Sequence, residues 1–171
     1  MISFNPTAMP PGFDYRLPPD LVVGQEYNAL SAAPTSWAMN YMKVDALRKI
    51  SKGKGIKVGI IDTGIDQNHE QFASKRFGGM KIVTGESSIY DGNGHGVFVA
   101  GQVAGDDPGI GISQECTIFI VKGLTNGGSG RSDGLGVGFE WLDAQGCHVI
   151  SASLGGPSPD QWTEAALRKF A

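Results

Sequence analysis

The sequence predicts an α/β protein: a parallel sheet flanked by helices on both faces. Three observations predict it. Short, near-continuous apolar runs such as "IKVGIID" (56–62) and "CTIFIVKGL" (116–124) read as strands buried on both sides. These runs alternate with segments of helical spacing, the order that builds strand–helix–strand units. The glycines, 26 of 171 residues, gather at the ends of apolar runs rather than in low-complexity tracts. Glycine in such places permits tight turns or close approach of main chain to a ligand. Function is then expected at the carboxyl ends of the strands.

Taken in order, residues 1–34 carry Pro6, Pro10, Pro11, Pro18, Pro19 and Pro34 without sustained periodicity and read as an extended N-terminal arm. From Thr35 or Ser36 a helix is expected, with Trp37, Tyr41, Val44 and Leu47 on one face and Gly53 as its stop. Residues 56–62 form the first strand, ending in Asp62, and "MKIVTG" (80–85) the second. "GVFVAGQVAG" (96–105) is a helix whose Ala100, Gly101 and Ala104 allow close packing, and residues 116–124 are the third strand. Ser132 is placed to cap a helix carrying Leu135, Phe139 and Leu142, which Gly146 stops. "HVISASLGG" (148–156) is the fourth strand. In the last helix Ser158 and Gln161 have capping-box spacing, Pro159 takes the first position, and Trp162, Ala166 and Phe170 make the apolar stripe. That stripe is still running at Ala171, so a further C-terminal part is expected.

Composition narrows the function classes. A formal charge of −3 offers no basic footprint for nucleic acid, and no stretch approaches the roughly 18–20 apolar residues of a membrane span. The N-terminus lacks a basic region followed by an apolar one, which reads as no secretory signal and leans toward the cytoplasm. Cys116 and Cys147 open strand candidates and read as small hydrophobes, not as a bridge. His69 and His148 have no partner at metal-ligand spacing.

Asp62 ends a buried strand, where a carboxylate is held rigidly; alone it fits a helix cap, a metal ligand or a dinucleotide-ribose acceptor equally well. The last of these needs a Gly-x-Gly-x-x-Gly turn, which "DTGIDQ" lacks. His95 stands between Gly94 and Gly96 at the start of a helix. If Asp62 accepts the Nδ1–H of His95, Nε2 is left to take a proton from a serine alcohol, the arrangement of two thirds of a triad. "GGSG" (127–130) and "SLGG" (153–156) each follow a strand, and both can offer bare main-chain groups to an extended peptide.

Four blocks, "VGIIDTGIDQNH" (58–69), "GHGVFVAGQVAG" (94–105), "VKGLTNGGSG" (121–130) and "VISASLGG" (149–156), resemble the successive signature blocks of the subtilisin-like serine proteases, in the family's order. The resemblance implies that residues 35–171 are the N-terminal part of a subtilisin-like peptidase domain, truncated before the C-terminal strands. It implies Asp62 as the orienting aspartate and His95 as general base. Gly128, Ser129 and Gly130 would form one wall of the substrate cleft and Ser153, Leu154 and Gly155 the other. The substrate implied is a peptide or protein, with no cofactor in catalysis. The family's nucleophilic serine and oxyanion-hole asparagine have no counterpart here, so a complementary C-terminal segment is the expected partner, and the chain alone is expected to be inactive. The alternative is a catalytically incomplete peptide-binding or regulatory half. Ser31, ahead of Ala32, Ala33 and Pro34, faintly resembles the nucleophile block but lacks its preceding glycine. Two departures stand out. Val97 and Phe98 follow Gly96 where the family usually has threonine and histidine, and Gln71 stands where many members carry a calcium-binding aspartate. Asp106 and Asp107 still offer oxygens, which keeps a structural calcium ion open.

Overall fold

A computed structural model describes residues 14–16, 37–156 and 160–170 of the chain. A short strand β1 (Asp14–Arg16) precedes two helices of five residues each, α1 (Trp37–Tyr41) and α2 (Val44–Arg48). Next come β2 (Lys57–Asp62), a single 3₁₀ turn at Glu70–Phe72, β3 (Phe77–Lys81) and α3 (His95–Ala104). The described chain continues with β4 (Thr117–Lys122), β5 (Ser129–Arg131), α4 (Ser132–Ala144), β6 (Val149–Ser151) and α5 (Gln161–Phe170).

Four strands form a parallel sheet in the order β3-β4-β2-β6, with Val58 beside Ile118 and Val149 and Asp62 beside Lys122. Side chains alternate across it. Val58, Ile60, Ile118 and Ile120 face Ala100 and Ala104 of α3, while Ile61 and Val121 face Leu135, Phe139 and Leu142 of α4 and Ala166 of α5. Both faces are therefore covered, as the apolar runs require, and the fold class is the one expected. Gly59 lies where Leu142 descends onto the strand: a Cβ there would stand 2.7 Å from Leu142 Cδ1.

Several local expectations are corrected. The expected first helix is broken by Lys43, whose φ of 57° opens α2. The buried residues are Met39 and Val44, while Tyr41 and Leu47 are 81% and 54% exposed, so the spacing did not mark the core face. The second strand lies earlier than expected, at residues 77–81. The missing side chains of its Gly78 and Gly79 make room for Phe119 and Ile89. Ser132 is the first residue of α4 and not its cap; Arg131 holds the cap position, with its guanidinium paired to Asp133 and no side-chain capping bond. Gly146 does end α4, at φ +72°, with its N–H given to Asp143 O. At the start of α5 the cap is Asp160, whose Oδ1 accepts the N–H groups of Trp162 and Thr163 at 3.0 and 2.8 Å. The capping box drawn on Ser158, and the Ser31 motif, lie outside the described residues. Cys116 and Cys147 are buried and unbridged, and burial pushes both thiols up. Among the described residues no helix is long and apolar enough to cross a membrane.

Candidate active site

Because the four strands run parallel, their carboxyl ends share one edge. Asp62 closes β2, a strand flanked on both sides, and the two glycine segments leave the same edge from its neighbours β4 and β6. Topology thus gathers there three sequence blocks that are far apart in the chain.

Asp62 is fully buried. Its Oδ1 receives the N–H of Thr63 at 2.7 Å and lies 2.7 Å from Nδ1 of His95. The two side chains therefore meet, across 33 residues of sequence. With the proton on Nδ1, His95 donates to Asp62 and its Nε2 becomes an acceptor. Asp62 Oδ2 is buried and has no hydrogen-bond partner among the described residues.

The glycines around His95 have a steric reason. Gly94 caps α3 at φ 101°, a conformation that side chains disfavour, and a Cβ on Gly96 would stand 2.2 Å from Gly64 O. Gly64 in turn has φ +122°, with Ile89 O 2.4 Å from where its Cβ would be. The helix start and the turn after Asp62 are packed main chain against main chain, which brings the imidazole within reach of the strand tip.

Sequence reasoning missed the residues that lock this contact. Asp91, 5% exposed, accepts Thr63 Oγ1–H and the N–H groups of Asn93 and Gly94 on Oδ1, and the N–H of Val97 on Oδ2. Thr63 Oγ1 also accepts the N–H of Gly96 at 2.9 Å, so α3 is tied to the tip of β2. Lys122, fully buried, donates to Thr63 O and to Asn126 Oδ1 and pairs with Glu86 at 2.9 Å. Asn126 completes the connection: its Oδ1 accepts Gly92 N–H, its O accepts Asn93 Nδ2–H, and its N–H goes to Glu86. Burial works against the charge on Glu86, but the Asn126 N–H and the Lys122 ammonium prevail and hold its carboxyl below the usual glutamate range. A signal existed for Lys122, a lysine closing an otherwise apolar parallel strand.

The first glycine segment is shaped by main chain. Gly128, at φ +75°, gives its N–H to Thr125 O, and Thr125 N–H goes to Ser129 O at 2.8 Å. Gly130 rests on the end of β4, for a Cβ there would lie 2.2 Å from Gly123 O. On the other segment Ser153 and Gly155 are exposed, and Leu154 is half-buried against the α4 core. His69 and His148 do structural work: their Nδ1 atoms accept the N–H groups of Gln71 and Lys57.

Residues 53–170 match the profile of the subtilase family. The chain belongs to the subtilase family. It is similar to subtilisin DY of Bacillus licheniformis, 42% identical over 121 residues, 69% of this chain and 43% of that protein. Thermitase of Thermoactinomyces vulgaris is 40% identical over 63% of this chain and 40% of its own length. Alkaline elastase YaB of a Bacillus strain is 34% identical over 78% and 35%. The chain spans less than half the length of these curated relatives. Its parallel sheet with helices is consistent with the subtilisin-like α/β fold.

In this subtilase, Val97 packs into the core under α3 while Phe98 is 42% exposed. The calcium question turns on donors already engaged. Asp106 accepts from Ser74 and lies 2.9 Å from Lys75 Nζ, Asp107 Oδ1 accepts Gly109 N–H, and Gln71 Oε1 accepts Asp107 N–H. A lysine ammonium thus lies against the Asp106 carboxylate, and main-chain donors already occupy Asp107 Oδ1 and Gln71 Oε1.

Proposed function

We propose that the chain contributes Asp62 and His95 to the triad of a subtilisin-like serine endopeptidase that hydrolyses peptide bonds in proteins. The 2.7 Å contact between His95 Nδ1 and Asp62 Oδ1, at a buried strand tip between two glycine-rich exits, carries this reading. Asp62 holds the imidazole in the tautomer with Nε2 unprotonated. Nε2 takes the proton of a serine hydroxyl as its oxygen attacks the peptide carbonyl, then gives that proton to the departing amine, leaving an acyl-enzyme that water hydrolyses by the reverse transfer. The serine and the oxyanion donor come from a segment outside these 171 residues. Gly128–Gly130 and Ser153–Gly155 receive the extended substrate through main-chain hydrogen bonds.

The test pairs the 171-residue chain with the product of the reading frame continued beyond Ala171. Each is incubated with a fluorogenic peptide and a fluorophosphonate probe. The continued protein is expected to cleave the peptide and take the label, with turnover lowered on the order of 10⁶-fold by His95→Ala and on the order of 10⁴-fold by Asp62→Ala. Labelling of the 171-residue chain by itself would overturn the assignment of the nucleophile to a second segment. Full turnover in the His95→Ala protein would overturn the dyad.

A further inference from the structure

The net charge of −3 hides a strong local excess of the opposite sign. Residues 41–57 hold six of the fourteen basic residues and one of the seventeen acidic ones, so this stretch carries +5 and the remainder −8. The same stretch gathers apolar surface. Tyr41, Met42, Leu47, Ile50 and Ile56 are all exposed, Tyr41 and Ile50 by 81% and 85%. Single exposed hydrophobes are ordinary, but five within sixteen residues, interleaved with lysines, mark a surface that meets a partner.

The local fold turns these groups outward together. Val44 is buried, and Arg48, one turn on, gives its guanidinium to the carbonyls of Gly111 and Ile112, so these two face the protein. Lys43, Leu47 and Ile50, at steps of four and three, then share the outer side of α2 and of the turn that follows it. Lys49, Lys52 and Lys54 are exposed as well. Among the described residues, the ammonium groups of Lys43, Lys49, Lys52 and Lys54 have no ion-pair or hydrogen-bond partner. The other two cations are engaged: Arg48 also meets Asp45 at 3.1 Å, and Lys57 Nζ reaches Gln145 O at 2.7 Å. Glu115, whose N–H goes to Lys52 O, offsets one charge and leaves the surface positive.

Charge and apolarity together define the partner. A nucleic-acid backbone would use the lysines and leave Leu47 and Ile50 in water. Protein interfaces favour arginine and are poor in lysine, and here the one arginine points inward. Lysines interspersed with exposed aliphatic and aromatic side chains suit the boundary layer of a bilayer, where ammonium groups meet anionic headgroups and apolar side chains enter the acyl region. The surface also lies at the amino edge of the sheet, since Lys57 opens β2 and Asp62 closes it. At about 3.3 Å per residue the dyad stands roughly 17 Å away, at the opposite edge.

We propose that residues 41–57 form a docking surface for an anionic phospholipid bilayer, on which the chain sits with the Asp62–His95 edge turned away from the membrane. The surface uses no residue of the proposed catalytic site, so its test is independent of that reading. The 171-residue chain is sedimented with vesicles of phosphatidylcholine alone and of phosphatidylcholine mixed with phosphatidylglycerol. Binding to the mixed vesicles is expected to exceed binding to the neutral ones by about tenfold or more and to weaken as salt is raised. K49Q/K52Q/K54Q removes exposed charges without touching the core and is expected to lower binding on the order of 10²-fold, at about fivefold for each lysine. Ile50→Ser keeps every charge and is expected to lower it about tenfold. Lys81→Gln, exposed at the far end of β3, is expected to leave it unchanged. Equal binding to both vesicle types, or no binding to either, would overturn the proposal, and so would a triple variant that binds like wild type. Dimers formed without vesicles and dissociated by Ile50→Ser would assign the surface to a second copy and overturn it. Binding that Ile50→Ser leaves intact and a DNA duplex abolishes would assign it to nucleic acid, with the same result.

Discussion

Asp62 and His95 sit in a lattice of buried side chains, whereas the proposed peptide wall at β5 is held by glycines and main-chain bonds. On the first side Asp91, Thr63 and Lys122 each satisfy several groups at once, and their bonds join β2, α3 and the end of β4. On the second side Gly128 and Gly130 contribute a left-handed turn and a close approach, and their neighbours supply one another's hydrogen bonds. The difference fits what the proposed function asks of each side. Moving a proton needs particular side-chain atoms fixed to tenths of an ångström. Receiving a strand needs unpaired N–H and C=O groups in register, and bulky side chains would obstruct it.

This contrast can be broken most forcefully at Lys122. In Lys122→Met a side chain of similar length keeps the packing, but Glu86, Asn126 Oδ1 and Thr63 O lose their shared donor. Removing one member of a buried ion pair costs about 3–5 kcal/mol, and the exposed fraction of Glu86 places the expected loss near the lower end. Urea unfolding measures it, and a midpoint unchanged from wild type would mean the lattice is not what holds the dyad.

Glycine substitutions sharpen the comparison at a somewhat smaller scale. Gly96→Ala drives a Cβ into Gly64 O, a backbone atom that cannot swing aside, and is expected to cost about 3 kcal/mol. Gly155→Ala meets no atom within 4 Å and is expected to stay within about 0.5 kcal/mol of wild type. Similar unfolding midpoints for the two variants would show that the close approach of α3 to the β2 turn is dispensable.

The smallest effect is set by pH. The Glu86 carboxyl is held below its usual range, so the unfolded chain takes up its proton first as pH falls. Its contribution is therefore complete above the ordinary glutamate range and is lost as pH drops through the lower folded-state value. Urea midpoints between pH 3 and pH 6 are expected to fall less steeply on the acid side in Glu86→Gln than in wild type. Identical slopes would remove Glu86 from the lattice.

Much of this molecule was legible in its residues. The apolar runs located β2 and β4, the spacing of Leu135, Phe139 and Leu142 located α4, and the four ordered blocks singled out Asp62 and His95. The misreadings share a cause, which is that local pattern stands for packing only where no neighbour overrides it. At Gly78, inside the displaced second strand, the partner that fills the missing volume is Phe119, more than 30 residues away. Tyr41 and Leu47 had the right spacing, yet a left-handed residue at Lys43 turned them outward. Asp91 was not singled out by the sequence, because its role depends on Thr63 and Val97 arriving from two other elements.

By itself the sequence determined the alternation of strands and helices, the acid at a strand tip, and the histidine between glycines, since each follows from propensity, periodicity and steric permission within a few residues. Only the tertiary structure decided that β2 lies between β4 and β6, that Asp62 and His95 meet, and that β1 pairs with β5. Those outcomes are contacts between distant segments. Their geometry depends on strand order and on the closeness with which Gly96 and Gly64 can pack, which no local stretch of residues encodes.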